Sequence, residues 1–144
     1  MRYLLIVLVV AVTSACSSPS GPTSSTVGSL TDISGAWHGT FASSNNDSQG
    51  ISVTVAQDGS TINATWSGDA VQWSGTMSGT LSGSSISGQL SFKGVAADGT
   101  VCTGNATIGG TISSTAISLT STNGVVGGSC PAPLPTGVRI DLHR

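Results

Sequence analysis

Ile51-Ser52-Val53-Thr54-Val55-Ala56-Gln57-Asp58-Gly59-Ser60-Thr61-Ile62-Asn63-Ala64-Thr65-Trp66 alternates apolar and polar side chains on either side of a turn. A two-residue period is the signature of a strand with one buried face, because successive side chains point to opposite sides of the sheet. Asp58-Gly59 matches a two-residue hairpin loop of type I′, whose central residues need positive φ. That loop predicts Gln57 opposite Ser60, Val55 opposite Ile62, Val53 opposite Ala64 and Ile51 opposite Trp66. Each apolar residue then meets an apolar partner on one face.

The same period runs outward in both directions. Upstream, Trp37, Gly39 and Phe41 share a face. Downstream, Val71, Trp73, Met77 and Leu81 share one, with Gly75 and Gly79 between them. A Gly83-Ser84 turn predicts Leu81 opposite Ile86, Met77 opposite Leu90 and Gly75 opposite Phe92, where the ring covers bare backbone. Thr80–Ser87 is echoed imperfectly by Thr111–Ser118, which places Ile112 against Ile117 across a turn at Ser114-Thr115. The echo does not continue at a fixed period, so it is a repeated hairpin rather than a solenoid. The last strand carries Val138, Ile140 and Leu142 inward, with Arg139, Asp141 and His143 outward. About eight strands joined by short hairpins predict an all-β fold, a small antiparallel up-and-down β-barrel, with a β-sandwich as the alternative. An even strand number lets the last strand close antiparallel on the first.

Composition agrees. Charged residues are 7 % of the chain, glycines number 20 and Glu is absent, so few straight-chain helix formers remain. The formal charge is −2. Beyond Arg2 the basic side chains are Lys93, Arg139 and Arg144, which is no footprint for displacing nucleic-acid counterions.

The N-terminus reads differently. Arg2 precedes an apolar run from Leu4 to Val12, too short for a membrane helix, and Thr13-Ser14-Ala15 supplies small residues for cleavage. Val12-Thr13-Ser14-Ala15-Cys16 resembles the lipobox of bacterial lipoproteins, with Thr13 where Leu is commoner. The resemblance implies removal of residues 1–15, diacylglycerol on the Cys16 sulfur and a further acyl chain such as palmitate on its amino group. Residues 16–31 then form the lipidated Cys and a Ser/Thr/Pro/Gly-rich tether, and 32–144 the barrel domain. About 15 such residues hold a domain on the order of 20 Å from the lipid. Ser17 after the Cys implies, by likeness to Gram-negative lipoproteins, sorting to the outer membrane.

Gly35-Ala36-Trp37 at the first strand resembles the Gly-x-Trp opening of lipocalins and avidins, which implies a barrel. Biotin binding does not follow, because the only Tyr is Tyr3, in the leader.

With Cys16 lipidated, Cys102 and Cys130 remain as a disulfide pair for an oxidising compartment. Extending the register of the Ile112–Ile117 hairpin puts residue 127 opposite Cys102, three positions from Cys130. Trp37, Trp66 and Trp73 are candidate ligand-lining residues, with core filling as the simpler role. His38, Asp141 and His143 face outward on strands that barrel closure would bring together. They could form a two-His, one-carboxylate site, but solvated surface residues are the reading taken, and no metal and no cofactor is assigned. Asn63-Ala64-Thr65 and Asn105-Ala106-Thr107 fit sequons but read as plain strand residues. Ser, His and Asp occur in no nucleophile-elbow or zincin spacing, so no catalytic residue is assigned.

The expected function is therefore a membrane-anchored envelope lipoprotein with a non-catalytic binding or structural module. Its expected partners are the membrane and a small apolar ligand or another envelope protein. A secreted-protease inhibitor of small-barrel type, with Ser17–Thr31 as its arm, is the alternative. An enzyme is the reading least supported, given the shortage of Glu, His and Lys.

Overall fold

The computed structural model describes residues 29–144 except 45–47, 70–71, 96–98, 122 and 124–136. The expectations for Cys16, the leader, most of the tether, Val71 and Cys130 fall outside the described residues. Eight strands are present: β1 (Gly35–Ser43), β2 (Ser48–Asp58), β3 (Thr61–Gly68), β4 (Ser74–Ser82), β5 (Ser85–Val95), β6 (Val101–Ile112), β7 (Ala116–Ser121) and β8 (Val138–His143). Each pairs antiparallel with its sequence neighbour, and β8 pairs antiparallel with β1, so the sheet is a closed up-and-down barrel. Closure excludes the sandwich. It also removes the free sheet edges that invite association.

The registers of β4–β5 and β6–β7 are those predicted: Leu81 faces Ile86, Met77 faces Leu90, Gly75 faces Phe92 and Ile112 faces Ile117. The β2–β3 register differs from the expectation. Asp58 pairs with Thr61, so the loop is Gly59-Ser60 rather than Asp58-Gly59, and Val55 faces Ala64, Val53 faces Trp66 and Ile51 faces Gly68. Gly59 has φ +57° and takes the first central position of the loop, as Gly83 does with φ +60° in the β4–β5 hairpin. Primed hairpin turns need positive φ there, and glycine supplies it without steric cost. The slip is two residues, so each strand keeps its inward face.

Inward positions alternate large and small across the ladder. Trp66, Gly75, Phe92 and Gly104 lie in one cross-strand row, so each bulky ring stands beside bare backbone. Gly39 is required by closeness rather than by φ: a Cβ there would run into the Asp141 carbonyl of β8. Such contacts let neighbouring strands bend around a narrow barrel. The core holds Trp37, Phe41, Trp66, Phe92 and the aliphatic residues of all eight strands, with no buried charged or polar residue among those described. Outward positions on β3 to β7 are mainly Ser, Thr, Asn and Gln. That is the reverse of a lipid-spanning barrel, whose outer face is an apolar band. Among the described residues, no helix is long and apolar enough to cross a membrane.

Candidate functional site

The two ends of the barrel are built differently. The first end gathers the start of β1, the end of β8 and the tight hairpins β2–β3, β4–β5 and β6–β7. It is plugged. Ile33 is 1 % exposed and Trp37 is fully buried. Trp37 Nε1 donates to the Ile33 carbonyl at 2.8 Å, and the Ile33 amide donates to Gln57 Oε1 at 2.9 Å. The Arg144 guanidinium lies 4.4 Å from the Trp37 ring centroid. It donates to the carbonyls of Ser34 (2.9 Å), Asp32 (3.0 Å) and Ser114 (2.9 Å). One cation thus joins the C-terminus, the segment before β1 and the β6–β7 turn. Hydrogen bonds from Ser34 and the nearby Arg144 charge hold the Asp32 carboxyl below its usual range. Leu30, inside the segment expected to be tether, already packs against the core.

Inside, beneath the plug, is an apolar cavity of about 20 Å³ bordered by Ile33, Val55, Ile62, Met77, Ile86 and Ile117, among others. That is room for about one water, whereas ligand pockets are typically ~300 Å³ or more. Among the described residues, side chains of all eight strands fill the barrel interior. None of the three candidate tryptophans borders this cavity. Trp37 fills the first end and anchors the plug.

The second end carries the longer connections β1–β2, β3–β4, β5–β6 and β7–β8, and the remaining aromatics collect towards it. Trp66 stacks on Phe41 with centroids 5.6 Å apart and planes 11° from parallel. Trp73, half-buried just before β4, packs on Phe92 at 5.4 Å and covers Gly94, where a Cβ would strike its ring. Gln49, opposite Phe41, holds its Oε1 out of solvent without a hydrogen-bond partner among the described residues. Cys102 is buried near this end of β6. Phe41 and Phe92 were legible as inward residues but not as members of a cluster, since clustering depends on ladder register. Gln49 sits in a polar run, Ser48-Gln49-Gly50, that gives no sign of an inward amide.

On the outer surface the closing seam does bring His38 directly opposite His143 and Thr40 opposite Asp141. Asp141 is engaged elsewhere: Arg139 Nε donates to it at 2.6 Å and Ser118 Oγ at 2.6 Å, and these bonds lower its pKa. No group of three or more His, Cys, Asp or Glu suited to a metal occurs among the described residues. Instead, Ser52 Oγ lies 3.3 Å from His38 Nδ1 and donates to Asp69 Oδ1 at 3.1 Å. The serine stands between histidine and carboxylate. A hydrolytic triad needs the imidazole in the middle, taking the hydroxyl proton while the carboxylate steadies the ring. Asn105 accepts a 2.8 Å bond from Ser91 Oγ, and Asn63 lies outward on β3, both as strand residues.

No family model, curated protein or solved structure matches the chain. The class is therefore defined by geometry: a closed eight-stranded antiparallel barrel, packed inside, plugged at one end and aromatic at the other.

Proposed function

We propose that this protein is a lipid-anchored lipoprotein of the bacterial envelope, sorted to the outer membrane, whose barrel is a non-catalytic module that binds at its aromatic end. The carrying observation is the polarity of the barrel. The chain comes into the domain at the plugged end, through Leu30 to Ser34, while Phe41, Trp66, Trp73 and Phe92 gather towards the other. A tether from Cys16 would leave the plugged end towards the lipid and turn the aromatic end away from it. Two or three acyl chains, each buried methylene contributing ~0.8 kcal/mol, give lasting attachment.

The aromatic end suits a small apolar ligand or an apolar side chain of an envelope partner better than a charged one. The residues described towards it include aromatic rings, glycine backbone and one unpartnered amide oxygen, Gln49 Oε1. The proposal includes a Cys102–Cys130 disulfide, for which Cys102 stands buried near this end of β6.

Two measurements test the proposal. Cys16→Ala should move the protein from the membrane pellet to the soluble fraction, and a variant that stays in the pellet refutes the anchor. An anilinonaphthalene dye should quench the tryptophan emission of the intact protein, with the effect reduced in Trp73→Ala. Quenching that is unaltered in Trp73→Ala, or absent, refutes binding at this end.

A further inference from the structure

Beyond that reading, the outer face of the closing seam carries an arrangement that the core does not use. His38 on β1 and His143 on β8 are directly opposed partners in an antiparallel ladder. Opposed residues have Cβ atoms about 4.5–5.5 Å apart and side chains on the same face. Two imidazoles so placed can reach one metal ion at Zn–N distances of about 2.0–2.1 Å.

The second observation is the Ser52–Asp69 pair beside His38. Ser52 Oγ gives its proton to Asp69 Oδ1, so towards the imidazole it is left as an acceptor. With the Ser52 proton so assigned, the 3.3 Å contact takes His38 Nδ1–H as donor to Ser52 Oγ. A proton fixed on Nδ1 leaves Nε2 with its lone pair as the outward, ligating nitrogen. Carboxylates backing metal-bound histidines do the same, orienting the ring and raising its basicity. Here a hydroxyl is interposed. Asp69 is itself held, its amide donating to the Gly50 carbonyl at 2.9 Å, and Gly50 has no side chain to obstruct the carboxylate.

The surrounding charges permit a cation. Arg139 is paired with Asp141, and Arg144 is turned onto Trp37 and three carbonyls. We propose that His38 and His143 form a two-histidine site for a divalent transition metal of the zinc or copper class, clipping β1 to β8 across the barrel seam. Water would complete the coordination sphere, since imidazole suits these metals and Asp141 is engaged by Arg139 and Ser118.

Zinc alone, titrated calorimetrically into the full chain, is the test. One zinc should bind per chain, and the unfolding temperature should rise with zinc concentration, because a metal that needs both strands binds the folded state. His38→Ala and His143→Ala should each abolish that binding. Ser52→Ala should weaken it about 10–100-fold, as loss of a backing hydrogen bond does. All three side chains are on the outer surface, so the variants should fold. Absence of zinc binding, binding that survives either histidine substitution, or an affinity untouched by Ser52→Ala would overturn the proposal.

Discussion

Truncating Trp37 to alanine is the most informative perturbation of the plugged end. The side chain is fully buried, the largest in the core to be so. Removing a buried tryptophan costs about 3–5 kcal/mol in transfer and cavity terms. The substitution also strips the Ile33 carbonyl of its 2.8 Å donor and the Arg144 guanidinium of the ring beneath it. An acceptor left unpaired in a buried place costs about 1–3 kcal/mol. A small domain has about 5–15 kcal/mol of stability in all, so Trp37→Ala should leave the barrel marginal. Each kcal/mol shifts the midpoint of such a domain by roughly 4 °C or more, so the melting temperature should fall by at least about 12 °C. Trp37→Phe keeps a ring but no N–H, and should lose about 1–3 kcal/mol. Trp73→Ala, half-buried at the opposite end, should lose less than Trp37→Ala. Thermal unfolding followed by circular dichroism measures all three. A Trp37→Ala protein within about 1 kcal/mol of the parent would refute a plug built on this residue.

Two further outcomes follow from the same geometry, and a third tests the proposed disulfide. Gly39→Ala should destabilise by about 1–3 kcal/mol, because the new methyl meets the Asp141 carbonyl across the seam, and denaturant unfolding will show it. The Asp141 carboxyl is lowered by Arg139 and Ser118, so its contribution is present above the unfolded-state carboxyl range and is lost as pH falls through the lower folded value. Asp141→Asn should flatten that acid limb, and an unchanged acid-unfolding profile would count against it. If the proposed Cys102–Cys130 bridge forms, intact-mass measurement will find the protein lighter by two hydrogens than its dithiol, and replacing both residues by Ser will cost about 3.5 kcal/mol for a loop of roughly 28 residues. Two alkylatable thiols on the unreduced protein would exclude the bridge.

The barrel was legible because its signals are local. Period-two alternation assigns each side chain to a face, and short turns fix which strands are neighbours. The β2–β3 register shows the limit. Asp58-Gly59 and Gly59-Ser60 are both acceptable two-residue loops, and alternation cannot choose between registers two residues apart. The Gly83-Ser84 hairpin could have decided it, since both glycines take the first central position.

The candidate site was less legible. His38 facing His143 followed from closure and was foreseeable from outward-facing positions on the first and last strands. The Ser52–Asp69 backing was not, because it needs the β1–β2 register and the end of β3 together. The tryptophans illustrate the same point: composition gives three large rings, but only the ladder separates Trp37 at the plug from Trp66 and Trp73 at the other end.

Interstrand nuclear Overhauser contacts between β1 and β8 test the closed barrel most directly. Gly39 should contact Leu142 and Phe41 should contact Ile140, with slow amide exchange on both strands. Missing contacts, with β1 and β8 exchanging fast as free edges, would show an open sheet and contradict the barrel, its plug and the histidine seam together.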